Sequence, residues 1–450
     1  MGAEIPGIVR LKCSVKNYDW GKLGEESAVA RLYAKNSGEE VDGGEPYAEF
    51  WIGTHESGPS YVVAAAEATG GVRNSGVEGR DGCDRKQGDF VSLKDWIERN
   101  PSVLGDKVLQ KWGPTLPFLF KVLSVEKALS IQAHPDKDLA PILHKQQPGV
   151  YKDGNHKPEM ALALTEFEAL CGFVGLEELK TVVRSVPEMT EVVGNSCAVQ
   201  VLNTSEDDGE KKLKEVLQSL FTGLMLASKT VISEIIPKLI RRLNLKGQVM
   251  ELTDKEELVL RLEKQYPGDI GVIAAFLFNY VKLNPGEALY LAANEPHAYI
   301  QGECVECMAT SDNVVRAGLT PKNRDVQTLC SMLTYKQTFP EILPGVPTNP
   351  YTVKYIPPFD EFEVDCYNIP EEASTVIPAV PGPSVFVVVE GEGSMHAGSC
   401  KEVIAEGDVL FAPASTDITL ETLSASIVYR AGVNSRVLDK SDNFAAKLVL

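Results

Sequence analysis

Four residues offer a coordination set for one divalent metal. They are Gln132 and His134 in Ser130-Ile-Gln-Ala-His134, Glu159 in His156-Lys-Pro-Glu159, and His297 in Asn294-Glu-Pro-His297. One amide oxygen, two imidazoles and one carboxylate suit Zn²⁺, and also Mn²⁺, Fe²⁺ or Co²⁺. An amide oxygen is a weak ligand, more typical of an open catalytic site than of a closed structural one. Taken singly, a histidine in a strand is more often core or surface than ligand, so the set stands only if the four converge. Cys304 and Cys307 form a competing Cys-x-x-Cys. No second pair accompanies it, and in a strand the two thiols point to opposite faces. His55, His144 and His396 lack partners at useful spacing.

Convergence requires strands. Side chains at i and i+2 on a strand share a face, which pairs Gln132 with His134 and His297 with Tyr299. Pro158 favours an extended chain, so Lys157 and Glu159 share a face too. A jelly roll could gather these three strands around one pocket. Arg316, Lys322 and Arg324 follow in a Gly- and Pro-containing loop. A guanidinium can hold phosphate bidentately and an ammonium as a point charge, although a solvated loop would show the same residues. A lysine beside a cation, as Lys157 would be, can have a lowered pKa. Asp312 is a candidate acid–base carboxylate.

The 450 residues suggest about three domains. The formal net charge of −19 repels nucleic acid and anionic lipid, so neither is an expected partner. It repels an anionic small molecule as well, unless a local basic pocket overrides the global field. The start, Met1-Gly-Ala-Glu-Ile-Pro, lacks a basic stretch followed by an apolar run, so no signal peptide is expected. Apolar runs such as 271–278 are too short to span a bilayer. Nine scattered cysteines fit reduced thiols in a cytoplasmic protein.

The period of the pattern changes along the chain. Residues 1–170 read as short strands, among them Leu116–Leu123 and Met160–Leu164, with 63–90 as a loop or insertion. Residues 171–268 read as helical: Leu213, Val216, Leu217, Leu220, Phe221 and Leu224 share one face, and Thr253 with Glu256 can form a capping box. Pro237 should kink or end a helix. Strand signals resume near 270, so 269–340 completes the first β domain, with a linker around 340–350. Residues 341–450 form a second β domain with strands at 385–389, 408–412 and 426–429. The fold class is mainly β with an inserted α domain: two cupin-like jelly-roll domains plus a helical domain.

Several motifs in order resemble the type I mannose-6-phosphate isomerase family. They are Tyr18-Asp-Trp-Gly21, Ala48-Glu-Phe-Trp-Ile-Gly53, Pro117-Phe-Leu-Phe-Lys-Val-Leu123, Ser130-Ile-Gln-Ala-His-Pro-Asp136, Tyr151-Lys-Asp-Gly-Asn-His-Lys-Pro-Glu-Met160, Ala293-Asn-Glu-Pro-His-Ala-Tyr299 and Asp312-Asn-Val-Val-Arg-Ala-Gly-Leu-Thr-Pro-Lys322. The resemblance implies a monomeric, zinc-dependent aldose–ketose isomerase on a cupin fold, with one Zn²⁺ per chain. It would interconvert mannose 6-phosphate and fructose 6-phosphate and supply mannose for GDP-mannose synthesis. It implies Gln132, His134, Glu159 and His297 as zinc ligands and Arg316 as the active-site arginine. Ser130, Lys157, Tyr299, Asp312 and Lys322 match pocket residues, Trp20 matches a cleft aromatic, and His156 a ring-opening or proton-transfer group. The C1/C2 base is not singled out. The 63–90 stretch exceeds compact members, and the C-terminal turns at 391–396 and 407–413 lack a paired His-x-His, so no metal is expected there. A cupin dioxygenase and a non-catalytic sugar-phosphate sensor are the alternatives. Gln132 argues against the first, the intact ligand set and Arg316 against the second.

Overall fold

The computed structural model describes residues 6–63 and 91–438. The stretch expected as an insertion, 63–90, lies outside these residues apart from Val63. Two antiparallel β regions and a block of helices make up the fold. In the first β region the strand order is Ile342–Leu343, Ala288–Leu291, Glu159–Ala163, His297–Ala309, Phe118–Val125, Glu49–Ile52 and Ser14–Lys16. The long strand His297–Ala309 serves two halves. Its second half pairs with Phe118–Val125 and Glu159–Ala163, and its first half with Phe167–Phe173 and with Gln132 of Ile131–Ala133. The change falls at Gly302, whose φ is 112° and where a Cβ would lie 2.3 Å from the Glu166 carbonyl oxygen. Only glycine fits that crossing.

Alternation sets which side chains reach the site. On Phe118–Val125, Phe118, Phe120 and Val122 enter the core shared with the C-terminal sheet, together with Val305, Cys307, Val385 and Phe411. Leu123, Val125, Ala161 and Cys304 line the other face. Cys304 and Cys307 do point to opposite faces, which rules out their joint chelation.

The second β region packs a nine-stranded sheet on a four-stranded one around Ile369, Phe386, Met395, Ile404, Leu410, Leu420 and Val428. The expected strands appear as Ser384–Glu390, Val409–Ala412 and Ser426–Gly432. The first described strand, Val9–Lys12, belongs to this nine-stranded sheet and pairs with Val409–Phe411. Its alternation of buried Val9 and Leu11 is equally compatible with either β region, so pattern alone could not place it. The proline-rich link holds two short strands, Ile342–Leu343 and Val346–Asn349.

Helices run from Leu176 to Ala274. The apolar stripe of Glu210–Met225 buries Val216, Leu217, Leu220, Phe221 and Leu224, and Thr253 and Glu256 form the capping box. Of the two outcomes expected at Pro237, ending the helix does not occur: the helix continues from Lys229 to Gly247, anchored before and after the proline by buried Ile235, Ile236 and Leu239. Nor do strands resume at 270: the apolar run there forms the short helix Ile270–Ala274, and the first strand is Phe278–Leu283. A fully apolar run carries no period with which to tell the two apart.

Candidate metal and sugar-phosphate site

His134, Glu159 and His297 come together at the heart of the first β region, with ligand atoms within 4.8 Å of one another. Glu159 Oε2 lies 3.3 Å from His134 Nε2 and 3.1 Å from His297 Nε2. All three residues are buried. Each imidazole is oriented from behind: His134 Nδ1 donates to the Asn313 carbonyl at 2.6 Å, and His297 Nδ1 to the Glu295 carbonyl at 3.0 Å. That fixes the tautomer with a lone pair on each Nε2, the form that ligates metal. Neither Nε2 has a hydrogen-bond partner among the described residues. Buried polar atoms are nearly always satisfied, so two orphaned lone pairs beside one carboxylate fit a divalent cation. Burial pushes the His134 imidazole down to about 4, so it is neutral at pH 7. Burial would raise the Glu159 carboxyl, but the His134 ring and the Lys157 ammonium outweigh it and hold Glu159 well below its ordinary value. The register sets Gln132 opposite His297 on one side and opposite Arg316 on the other.

A cavity of about 700 Å³ opens in front of this group. Of the sequence candidates, Trp20, Ser130, Gln132, Lys157, Asp312, Arg316 and Lys322 line it. Lys157 Nζ sits 3.3 Å from Glu159 Oε1, and the Ser130 hydroxyl donates to Gln132 Oε1 at 3.2 Å. Arg316 and Lys322 have no carboxylate partner among the described residues. With none to compensate, burial pulls the Arg316 guanidinium below its ordinary value. A half-buried cation without a counter-ion is a site for an anion, and it supplies the local basic pocket that the acidic chain needs.

The loop after Arg316 is braced by the helices. Asp269 accepts from the backbone N–H of Leu319 and of Gly271 at 2.6 Å each, and from that of Thr320 at 3.2 Å. Leu319 is held at φ 54°, a strained conformation for a branched residue. The approach is close: a Cβ on Gly318 would lie 2.6 Å from the Gly271 Cα.

Two candidates stand elsewhere. Tyr299 is buried and donates to Glu306 at 2.8 Å, and burial with that carboxylate pushes its hydroxyl well up. His156 does not line the cavity. Its Nε2 bonds to Glu361 of the C-terminal region at 2.8 Å.

Sequence reasoning missed a buried charged row. Lys121 lies 3.1 Å from Glu49 and 2.9 Å from Glu306, and Trp51 donates to Glu49 at 2.6 Å. Burial would lower the Lys121 ammonium, but Glu306 and Glu49 raise it. Glu49, Trp51 and Lys121 all line the cavity. A lysine inside the apolar run Pro117–Leu123 was the available signal. His55, set aside for lack of a partner, meets Asp312 at 3.2 Å on the cavity wall.

Comparison with known proteins agrees with this geometry. Residues 8–176 match the catalytic domain of type I phosphomannose isomerase, and residues 192–278 its helical insertion domain. The chain is 59% identical over 430 residues to mannose-6-phosphate isomerase 2 of Arabidopsis thaliana, covering 95% of this chain and 94% of that one. It is 38% identical to human mannose-6-phosphate isomerase, covering 95% and 98%. A solved mannose 6-phosphate isomerase bound with zinc and yttrium superposes with a TM-score of 0.77 at 28% identity, covering 95% of this chain and all of the other. The chain therefore belongs to the type I phosphomannose isomerase family of enzymes.

Proposed function

We propose that this enzyme is a zinc-dependent aldose–ketose isomerase that interconverts D-mannose 6-phosphate and D-fructose 6-phosphate. One observation carries the reading: two orphaned imidazole nitrogens and a carboxylate lie behind a cavity that also presents an unpaired arginine. Gln132, His134, Glu159 and His297 would hold one Zn²⁺ per chain, and the zinc-bound solved relative supports that choice of metal. Zinc would supply a Lewis acid for the sugar's C1 and C2 oxygens.

The chain's own groups do the rest. Arg316 and Lys322 hold the phosphate from the cavity wall. Trp20 covers one wall, and Ser130 steadies Gln132. Isomerisation moves a proton between C1 and C2 through an enediol or enediolate, so a base and an acid must face the open-chain sugar. Asp312 and Lys157 are the groups on the wall assigned to ring opening and proton transfer. Asp312 accepts from His55, and this hydrogen bond holds its carboxyl below the ordinary value, so it is ionised at pH 7. Tyr299 and the Lys121 row set the electrostatics behind the metal group.

The same reading divides the labour along the chain: 1–170 with 269–340 for catalysis, 171–268 as helical bracing, and 341–450 as a C-terminal cupin-like domain. Among the described residues no single helix is long and apolar enough to cross a membrane. A monomeric cytoplasmic enzyme supplying mannose for GDP-mannose synthesis fits the acidic chain. A coupled assay with mannose 6-phosphate tests the whole. Turnover should vanish on chelation and return with added Zn²⁺; turnover unchanged by chelator, or none with zinc present, would overturn the proposal.

A further inference from the structure

The geometry points to Glu361 as a positioning residue for the metal group, supplied by the C-terminal region. Glu361 lies between the strands Thr352–Tyr355 and Glu363–Ile369 and is 3% exposed. Its Oε1 takes two contacts. His156 Nε2 meets it at 2.8 Å and Lys137 Nζ at 3.0 Å. These partners are placed symmetrically about the ligands: Lys137 follows His134 by three residues, and His156 precedes Glu159 by three. One carboxylate from a distant part of the chain thus joins the two segments that carry two of the three buried ligands.

Both sides of this joint are stiff. On the Glu361 side, the neighbouring Phe362 carbonyl accepts from Asn434 Nδ2 at 3.2 Å, and Phe359 packs edge-on to Tyr290 at 5.8 Å. On the ligand side, the Asn155 carbonyl accepts from Asn313 Nδ2 at 3.0 Å, and the Asn313 carbonyl is the one that orients His134. The Pro158 carbonyl accepts from Ala309 N at 3.0 Å. A displacement of His156 would therefore pass directly to Lys157, Glu159 and the Asn313 brace. His156 acts here by where its ring is held, and Glu361 is what holds it. Ligand geometry depends on such outer contacts, whose loss weakens metal affinity by about 10–100-fold in well-studied sites.

This inference rests on the zinc-isomerase reading. Its test measures Zn²⁺ affinity by chelator competition, isomerase kcat and KM, and thermal unfolding of the full chain. Glu361→Ala should bind Zn²⁺ about tenfold or more weakly. Its KM for mannose 6-phosphate should stay within about twofold, because the contacts of Glu361 are to His156 and Lys137 and not to Arg316 or Lys322. Glu361→Gln keeps an acceptor for His156 and should recover zinc affinity to within about threefold of wild type. Glu361→Asp keeps the charge but falls short of the ring, and it carries the test if the alanine variant does not fold. Wild-type zinc affinity in folded Glu361→Ala or Glu361→Asp, with only the unfolding temperature lowered, would show an inter-region ion pair without a positioning role and overturn the proposal. A wild-type protein that binds no zinc or does not isomerise would instead sink the function on which it rests.

Discussion

The two β regions share an architecture and differ in how they treat buried charge. In the C-terminal region, Arg430 is 1% exposed and its charge is matched from inside the protein, by Asp365 at 2.7 Å and Glu363 at 3.6 Å, with the Ser384 hydroxyl at 2.7 Å, although its Nη2 makes no hydrogen bond among the described residues. In the catalytic region, among the described residues, Arg316 has no counter-ion, and His134 Nε2 and His297 Nε2 have no hydrogen-bond partner. Matching a buried charge with opposite charges inside the protein makes a scaffold, and leaving a cation and two imidazole lone pairs unmatched beside a cavity makes a site. The fold does not decide which of the two a jelly roll becomes; the residues at a few inward positions do.

The comparison can be broken most sharply at Glu159. Glu159→Ala removes the carboxylate between the two imidazoles, and a Lewis acid contributes several kcal/mol to such chemistry. Isomerase activity should fall by about a thousandfold or more, with zinc content by elemental analysis falling alongside. Zinc and activity both at wild-type levels would remove the distinction between the two regions.

The two arginines sharpen it next. Arg430→Met leaves buried Asp365 and Glu363 with the Lys354 ammonium alone, 3.7 Å and 3.0 Å away, which costs up to about 3–5 kcal/mol of stability. Denaturant unfolding should show that loss, while the KM of the surviving folded enzyme stays unchanged. Arg316→Met should do the reverse. Charge-assisted hydrogen bonds contribute about 1.5–3 kcal/mol, so KM for mannose 6-phosphate should rise roughly 10–100-fold. Stability should hold or improve, since an uncompensated half-buried charge is removed. If Arg316→Met destabilises as Arg430→Met does, the open cation is structural after all.

What was legible in the sequence follows the range of the interactions. The pairs Gln132/His134 and His297/Tyr299 could be read because strand alternation is local, and the Thr253/Glu256 capping box spans three residues. The fold class followed from a change of period at the helical block. The Lys121 row was hidden because its ion pairs join three separate strands. The contact between His156 and Glu361 spans 205 residues and leaves no local period. The pairing of the N-terminal strand Val9–Lys12 with Val409–Phe411 was hidden for the same reason. Pro237 shows the opposite limit, a strong local signal overridden by packing on both sides.

The smallest expected effect separates two histidine–carboxylate pairs. His55 Nδ1 accepts from the Ser57 backbone N–H at 3.1 Å, which leaves Nε2–H to donate to Asp312 at 3.2 Å on the cavity wall. His396 meets Glu421 at 3.1 Å and Ser394 at 2.9 Å on the outer face of the C-terminal four-stranded sheet, far in the fold from any ligand. Both contacts are partly exposed, so each contributes at most about 1 kcal/mol. His55→Phe should therefore lower kcat by no more than about fivefold, and His396→Phe should leave it unchanged. The pH dependence gives the finer readout. Hydrogen bonding to His55 depresses the Asp312 carboxyl, so whatever stability that contact contributes is present above the ordinary aspartate pKa of about 3.9 and is lost as pH falls through the lower folded value. Without His55, Asp312 should titrate nearer its ordinary value, and the acid limb of kcat/KM should move to higher pH. His396→Phe has no path to that limb. An acid limb that moves equally in both variants would mean that the cavity wall owes nothing to His55, and that the two pairs are alike.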